Sequence, residues 1–304
     1  MPTHGWGRWR KDGGTGTAAA LVPLSQARNV QVRLRQVVGA IVVCSIGAVA
    51  PAGAQNKATF FQPSDLALAG GFSIASYGVS RFDPRIAKWF QQPDRQRNTA
   101  MRRTAEAFTH IQETTLTIAG IATYGIAALT KARTVETVAL HASESIVAAS
   151  ITNQVIRGPL GRARPKDATP IFEDQYEFHW FDGFRHFQYR AFPSIHSSSA
   201  LAAATAVVLE THYRDPRATW YVAPLAYALA SGPGYARMYL GQHWASDVFM
   251  GAFVGVFYGQ RVVDYAHAHP NNPVDRFFLG KSLTTGASLA PMKGGVSFSY
   301  GFQF

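Results

Sequence analysis

Apolar and polar positions along this chain sort into long helical stretches. Segments 95–109, 112–131, 134–156, 197–211, 217–231 and 243–265 are rich in Ala, Leu, Ile and Val, poor in internal proline, and long enough to read as helices. Alanine and glycine recur in TIAGIATYGIAALT and ALAAATAVV, which lets helices approach closely. Charge or proline interrupts most of these stretches before the roughly 20 residues a membrane span needs. The pattern therefore predicts an all-α, soluble helical bundle. No repeat or low-complexity linker follows residue 55, so 55–304 reads as one domain.

Two regions break the helical pattern. Residues 172–192, FEDQYEFHWFDGFRHFQYRAF, are dense in aromatic residues and have no period. They read as an ordered loop packed over the bundle or as a wall over a ligand site, and both readings stay open. At the C-terminus Val296, Phe298, Tyr300, Phe302 and Phe304 alternate with small or polar residues, the period of a half-buried strand. With Lys293-Gly294-Gly295 as a turn, 287–304 reads as a short β-hairpin. One hairpin cannot close a barrel, so it is expected to pack against the bundle.

Charge changes the picture at the other end. The 304 residues hold 29 Lys+Arg and 18 Asp+Glu, a formal charge of +11. Residues 1–54 carry six of the bases and one of the acids, which leaves 23 against 17 beyond them. Within that segment Arg33 and Arg35 precede an uncharged apolar run, Val37–Ala50, and Ala52-Gly53-Ala54 offers small residues before Gln55. That is the pattern of a secretory signal peptide cleaved near Ala54, which places the mature chain in the periplasm or outside the cell. Cys44 is the single cysteine and falls in the removed part, so neither disulfides nor thiolate chemistry are expected. A basic exported chain with clustered arginines points to small anionic ligands and away from nucleic acid.

Three separated stretches carry polar groups in apolar surroundings. RGPLGRARP, 157–165, supplies Arg157, Arg162 and Arg164 in a Gly/Pro-rich turn after a helix. FPSIHSSSA, 192–200, places Ser194 and His196 at the start of an Ala-rich helix, where free backbone N–H groups suit a phosphate oxygen. RMYLGQHWASD, 237–247, sets Arg237, His243 and Asp247 among small and apolar residues. His243 and Asp247 are four apart and share a helix face, so the carboxylate can fix the ring tautomer and leave the other nitrogen as a lone pair. Each stretch alone could be a basic loop, a helix cap or a structural His–Asp pair.

Together they resemble the three-part signature of the PAP2 (type 2 phosphatidic acid phosphatase) superfamily. Arg157-x6-Arg164-Pro165 is similar to its Lys-x6-Arg-Pro, Pro193-Ser194-x-His196 to its Pro-Ser-Gly-His, and Arg237-x5-His243-x3-Asp247 to its Ser-Arg-x5-His-x3-Asp. The resemblance covers about a third of the chain and implies a PAP2-type helical bundle. It assigns His243 as the nucleophile on phosphorus, Asp247 as the group that orients it, and His196 as general acid and then base. Arg157, Arg164, Arg237 and Ser194 would cradle the phosphate, no metal is required, and Arg162, between the motif positions, reads as a rim residue or a structural one. Three departures stand out. Arg157 keeps the charge of the usual Lys. Ile195 replaces Gly and cannot easily take positive φ, so the loop is expected to differ there. Ala236 replaces Ser and removes one hydroxyl.

The resemblance implies a metal-independent phosphatase acting on a phosphorylated small molecule or a lipid phosphate, with peripheral membrane contact left open. Two other readings share the residues. One is a vanadium-dependent haloperoxidase, with vanadate as cofactor in the phosphate site. The other is a degenerate, non-catalytic envelope protein, which Ile195 and Ala236 alone support.

Overall fold

The structure is a computed structural model that describes residues 59–280, 286–292 and 295–301. The signal-peptide segment 1–54 lies outside the described residues. Ten helices are described: α1 Pro63–Ser80, α2 Asp83–Phe90, α3 Pro93–Arg97, α4 Thr99–Thr109, α5 Glu113–Leu129, α6 Arg133–Leu160, α7 Ile195–Arg214, α8 Pro216–Tyr239, α9 Ala245–Ala268 and α10 Pro273–Phe278. The all-α expectation holds. The C-terminal hairpin pairs β1 (Gly286–Met292) antiparallel with β2 (Gly295–Gly301), Leu289 facing Phe298 across the ladder.

α7 is the centre of the bundle, with α6, α8 and α9 packed around it. Its Ala200, Leu201, Ala204 and Val208 meet Tyr227 and Ala230 of α8 and Ala252 and Val256 of α9 in one buried cluster. α9 approaches α7 so closely because Gly251, Gly255 and Gly259 form a bare stripe. A Cβ on Gly251 would overlap the carbonyl oxygen of Ser194, and one on Gly255 that of Ser198. This contact sets the height of the third polar stretch against the second.

Several helix ends differ from expectation, for local reasons. Segment 95–109 is two helices because Asn98 is extended and its side chain accepts from Met101 N at 3.0 Å, an N-cap that starts α4. α6 runs on to Leu160, past Pro159, and stops at Gly161 in the left-handed region, φ +60°. Arg157 therefore sits in the last helical turn and not in the following loop. α8 passes through Pro233 and ends at Tyr239, which puts Arg237 in its last turn. The pattern missed α1, which is pinned to α9 by stacked Phe72 and Phe253 rings 4.1 Å apart and by an Asp65–Arg261 ion pair.

Candidate active site

Backbone bonds stitch the three polar stretches together. Trp244, fully buried, donates from its indole to the carbonyl of Ala163 at 2.9 Å. Lys166 N donates to Gly241 O at 3.1 Å, Ala191 N to Arg162 O at 3.1 Å, and Ser194 N to Asp247 O at 3.0 Å. Fixed backbone of this kind holds side chains to tight tolerances, which a reaction centre requires. The aromatic segment docks on the same place. Gly183 is so close to the end of α6 that a Cβ would overlap Arg157 O, and Phe184 lies against Gly158. It is thus both an ordered loop and a wall of the site.

Ser194 caps α7, its Oγ accepting from Ser197 N at 3.5 Å and from Ser197 Oγ at 3.2 Å. Ile195 opens the helix in ordinary backbone geometry, since it is not among the described residues with positive φ. This is the backbone that a β-branched residue requires at this position. His196 follows in the first turn, and its Nε2 lies 2.6 Å from Arg237 Nη2. A guanidinium can only donate, so Nε2 is the acceptor and Nδ1 carries the proton. That Nδ1 is buried with no partner among the described residues. Burial, Arg237, His243, Arg164 and Arg157 together push the His196 pKa down to about 2, so the ring is neutral.

His243 stands just ahead of α9, not within it, with its ring centroid 5.9 Å from that of His196. Its Nδ1 donates to Ala191 O at 2.7 Å. Asp247 Oδ2 is 3.6 Å from the same nitrogen, beyond hydrogen-bond reach. The expected His–Asp hydrogen bond is thus corrected: a backbone carbonyl orients the ring, while Asp247 contributes its field. The reason is that Oδ2 is already taken by Trp244 N, at 2.7 Å, capping α9. Burial holds the His243 pKa below its ordinary value, against the pull of Asp247. Nε2 is left as a neutral imidazole lone pair.

Arg162 takes the structural one of its two readings. It is no rim residue but 3% exposed, with Nη1 on Asp247 Oδ1 at 2.5 Å and Nη2 on Asp83 Oδ2 at 2.9 Å. It also donates to Ser246 Oγ and Gln175 O. Asp83, fully buried, accepts from Ser246 N at 2.9 Å. Sequence reasoning missed Asp83, Gln242 and the Ala191 carbonyl, none of which carries a local signal.

The other three arginines behave differently. Arg157 donates to Gln154 Oε1 at 2.9 Å, Arg164 to Gln242 Oε1, and Arg237 to His196. All these partners are neutral. Arg164 also rests on the face of Phe187, 3.8 Å away, and its Nε is buried without a partner among the described residues. Burial lowers the pKa of all three, that of Arg164 to about 10; at Arg164 the repulsion of Arg237 and Arg157 works against the pull of Asp167 and Asp247. Arginine does not give up its proton in proteins, so the lowered values register a crowded, poorly offset positive site. Such a site stabilises an anion.

The sequence model of the PAP2 superfamily matches residues 138–269, a span that holds every one of the seven motif residues. The chain is 41% identical over 70 residues to a lipid A 1-phosphatase of Porphyromonas gingivalis (strain ATCC 33277), a match covering 23% of this chain and 15% of that protein's length. No solved structure matches the chain.

Proposed function

We propose, from the match of residues 138–269 to the PAP2 superfamily model, that the chain is an exported, metal-independent phosphatase of that superfamily. It would hydrolyse phosphate monoesters of a lipid or a soluble alcohol through a phosphohistidine at His243. The observation that carries this reading is the cradle. Arg157, Arg164 and Arg237 converge with neutral partners on two neutral histidines. Unlike Arg162, none of the three spends its charge on a carboxylate among the described residues.

In the first half-reaction His243 Nε2 attacks phosphorus, the N–P bond forms and the P–O bond to the alcohol breaks. His196 delivers a proton to the departing oxygen. Because His196 is neutral in the empty cradle, that proton arrives on the ester monoanion and passes through Nε2. In the second half water attacks phosphorus, His196 takes its proton, and the N–P bond breaks to release inorganic phosphate. The three guanidinium groups offset the equatorial oxygens throughout, the part a metal ion plays elsewhere. Ser194 and the first N–H groups of α7 complete the cradle.

The test is phosphate release from p-nitrophenyl phosphate and from phosphatidic acid in EDTA, with the intact chain and with His243→Ala. The expected outcome is turnover by the wild type, inhibition by vanadate as a phosphate mimic, and a loss on the order of a thousandfold or more in the variant. Turnover that survives His243→Ala, or that EDTA abolishes, would refute the route.

A further inference from the structure

A groove of about 590 Å³ runs beside the bundle between α1, α6 and α9, closed at one end by the aromatic segment. None of the cradle residues lines it. Its size is that of a small-molecule site. α1 turns toward it a stripe at helical spacing, Leu66, Ala69, Ser73, Tyr77 and Ser80, and the opposite walls include Ile156, Met250, Phe253 and Val254. Leu66 is 81% exposed and Tyr77 57%, a poor arrangement for a helix with nothing against that face.

The polar groups on these walls identify the occupant. Ser73 donates to Ala69 O at 2.8 Å, Ser76 to Ser246 O at 3.3 Å, and Thr152 to the Tyr258 hydroxyl at 2.7 Å. Ser80 bonds Tyr77 O and the Tyr176 hydroxyl, Asp65 is paired with Arg261, and Arg162 is committed to its two carboxylates. These polar side chains are satisfied within the protein, which leaves the Tyr77 hydroxyl at the exposed edge and little to recognise a sugar, a peptide or a base. What remains is an apolar trough. From Asp65 to Ser80 it extends about 22 Å at the helical rise. One acyl chain spans about half of the bilayer's hydrocarbon core, or about 15 Å.

The trough also ends in the right place. Leu160 and Phe192 line it, and they lie in the segments that carry Arg157 and Ser194. Trp180 stands on its rim, and the same loop continues to Phe184 on Gly158 and Phe187 under Arg164. A largely apolar trough whose charged groups are ion-paired, beside a cationic cradle, complements a molecule with an apolar tail and an anionic head. We propose that this groove binds one acyl chain of a phosphate-bearing membrane lipid whose head occupies the cradle. The proposal rests on the phosphatase reading for the head alone; the chain site stands on the groove.

The experiment measures the two separately. Binding of cis-parinaric acid, a fluorescent long-chain fatty acid, is titrated on the intact chain and on Ala69→Trp and Ser73→Trp. Both positions are exposed on α1, and each substitution fills the trough without touching the cradle. Thermal melting verifies that the variants fold. We expect binding to weaken at least tenfold in both, kcat/KM for phosphatidic acid to fall at least tenfold, and p-nitrophenyl phosphate turnover to stay within twofold. Loss of all turnover with parinaric acid binding intact would sink the phosphatase reading and leave the groove assignment standing. Wild-type binding that neither tryptophan weakens would overturn the groove assignment. So would binding that emerges only on deleting residues 32–54, which would give the trough to the chain's own apolar run.

Discussion

Replacing Arg162 by methionine removes the one cation between two carboxylates that are both fully buried, Asp83 and Asp247. Methionine fills most of the space but leaves both acids without the guanidinium that bridges them. Breaking a buried pair from one side costs about 3–5 kcal/mol, a large share of the roughly 5–15 kcal/mol that holds a domain together. The pH dependence follows from Asp83. Burial already raises its pKa to about 6, with Arg162 pulling the other way. Without Arg162 that pKa climbs further. A carboxyl whose folded pKa is raised favours folding below its unfolded value, near 3.8, and that contribution is lost as pH rises through the folded value. The deficit of Arg162→Met should therefore be larger at pH 8 than at pH 5, by about 1.4 kcal/mol for each unit of further shift. Urea unfolding of both proteins at the two pH values measures it. Arg162→Lys should recover part of the loss, since one ammonium cannot reach two carboxylates as a planar fork does. A deficit below about 0.5 kcal/mol, as for an ordinary surface substitution, or one equal at both pH values, would refute this account of the network.

With His196 and His243 neutral in the free enzyme, the proton for the leaving group rides on the substrate; kcat/KM should stay level in mild acid and fall about tenfold per pH unit above the second phosphate ionisation near 6. A kcat/KM that climbs between pH 6 and 8 would contradict the assignment. Gly251→Ala forces a methyl into the Ser194 carbonyl, backbone against backbone, and should cost about 1–3 kcal/mol while lowering kcat as Ser194 and His196 shift from His243; unchanged melting and turnover would show that the α7–α9 contact gives way. At the far end of the bundle, burial lowers the His141 pKa but Asp275 and Glu210 outweigh it and raise it to about 9, while burial raises that of Glu144 to about 7. Stability from both is lost as pH rises through those values, whereas the lowered histidines of the cradle cost stability as pH falls below about 6.5. Thermal melting from pH 4 to 10 should therefore peak in the mildly acidic range and decline toward pH 9; a flat profile above pH 6 would argue against the buried cluster.

The bundle was legible where period and composition agreed, as in α5, α6, α7 and α9, whose centres fall where the apolar pattern places them. α1 was not, because its stripe of Ala, Ser and Tyr faces a trough and makes no strong amphipathic contrast. The end of α8 was hidden by Pro233, buried where packing against its neighbours overrides a local preference. The histidines and arginines of the cradle could be named through the resemblance of three short motifs, whose internal spacing is local; that the stretches close on one another through backbone bonds is seen only in the structure.

What spacing cannot convey is the partner of each charge. Arg157, Arg162 and Arg164 stand within eight residues and look alike in the sequence. Arg162 finds Asp83, 79 positions earlier, and Asp247, 85 positions later, and becomes part of the scaffold. Its neighbours Arg157 and Arg164 find only amides and an aromatic face. Alternation cannot explain the split, since residues two apart in extended chain share a face. Arg162 lies in an isolated bridge opposite Phe178, whereas Arg164 stands where the chain enters the turn at Pro165. The same distinction accounts for Asp247. Its two oxygens are consumed by a helix cap and by Arg162, so the carboxylate that appears in the sequence to serve His243 holds the wall on which His243 stands. The ring's own hydrogen bond goes to a carbonyl that any residue at 191 would supply. Conservative changes at Asp247 should therefore cost stability and activity together, while the tautomer of His243 survives them.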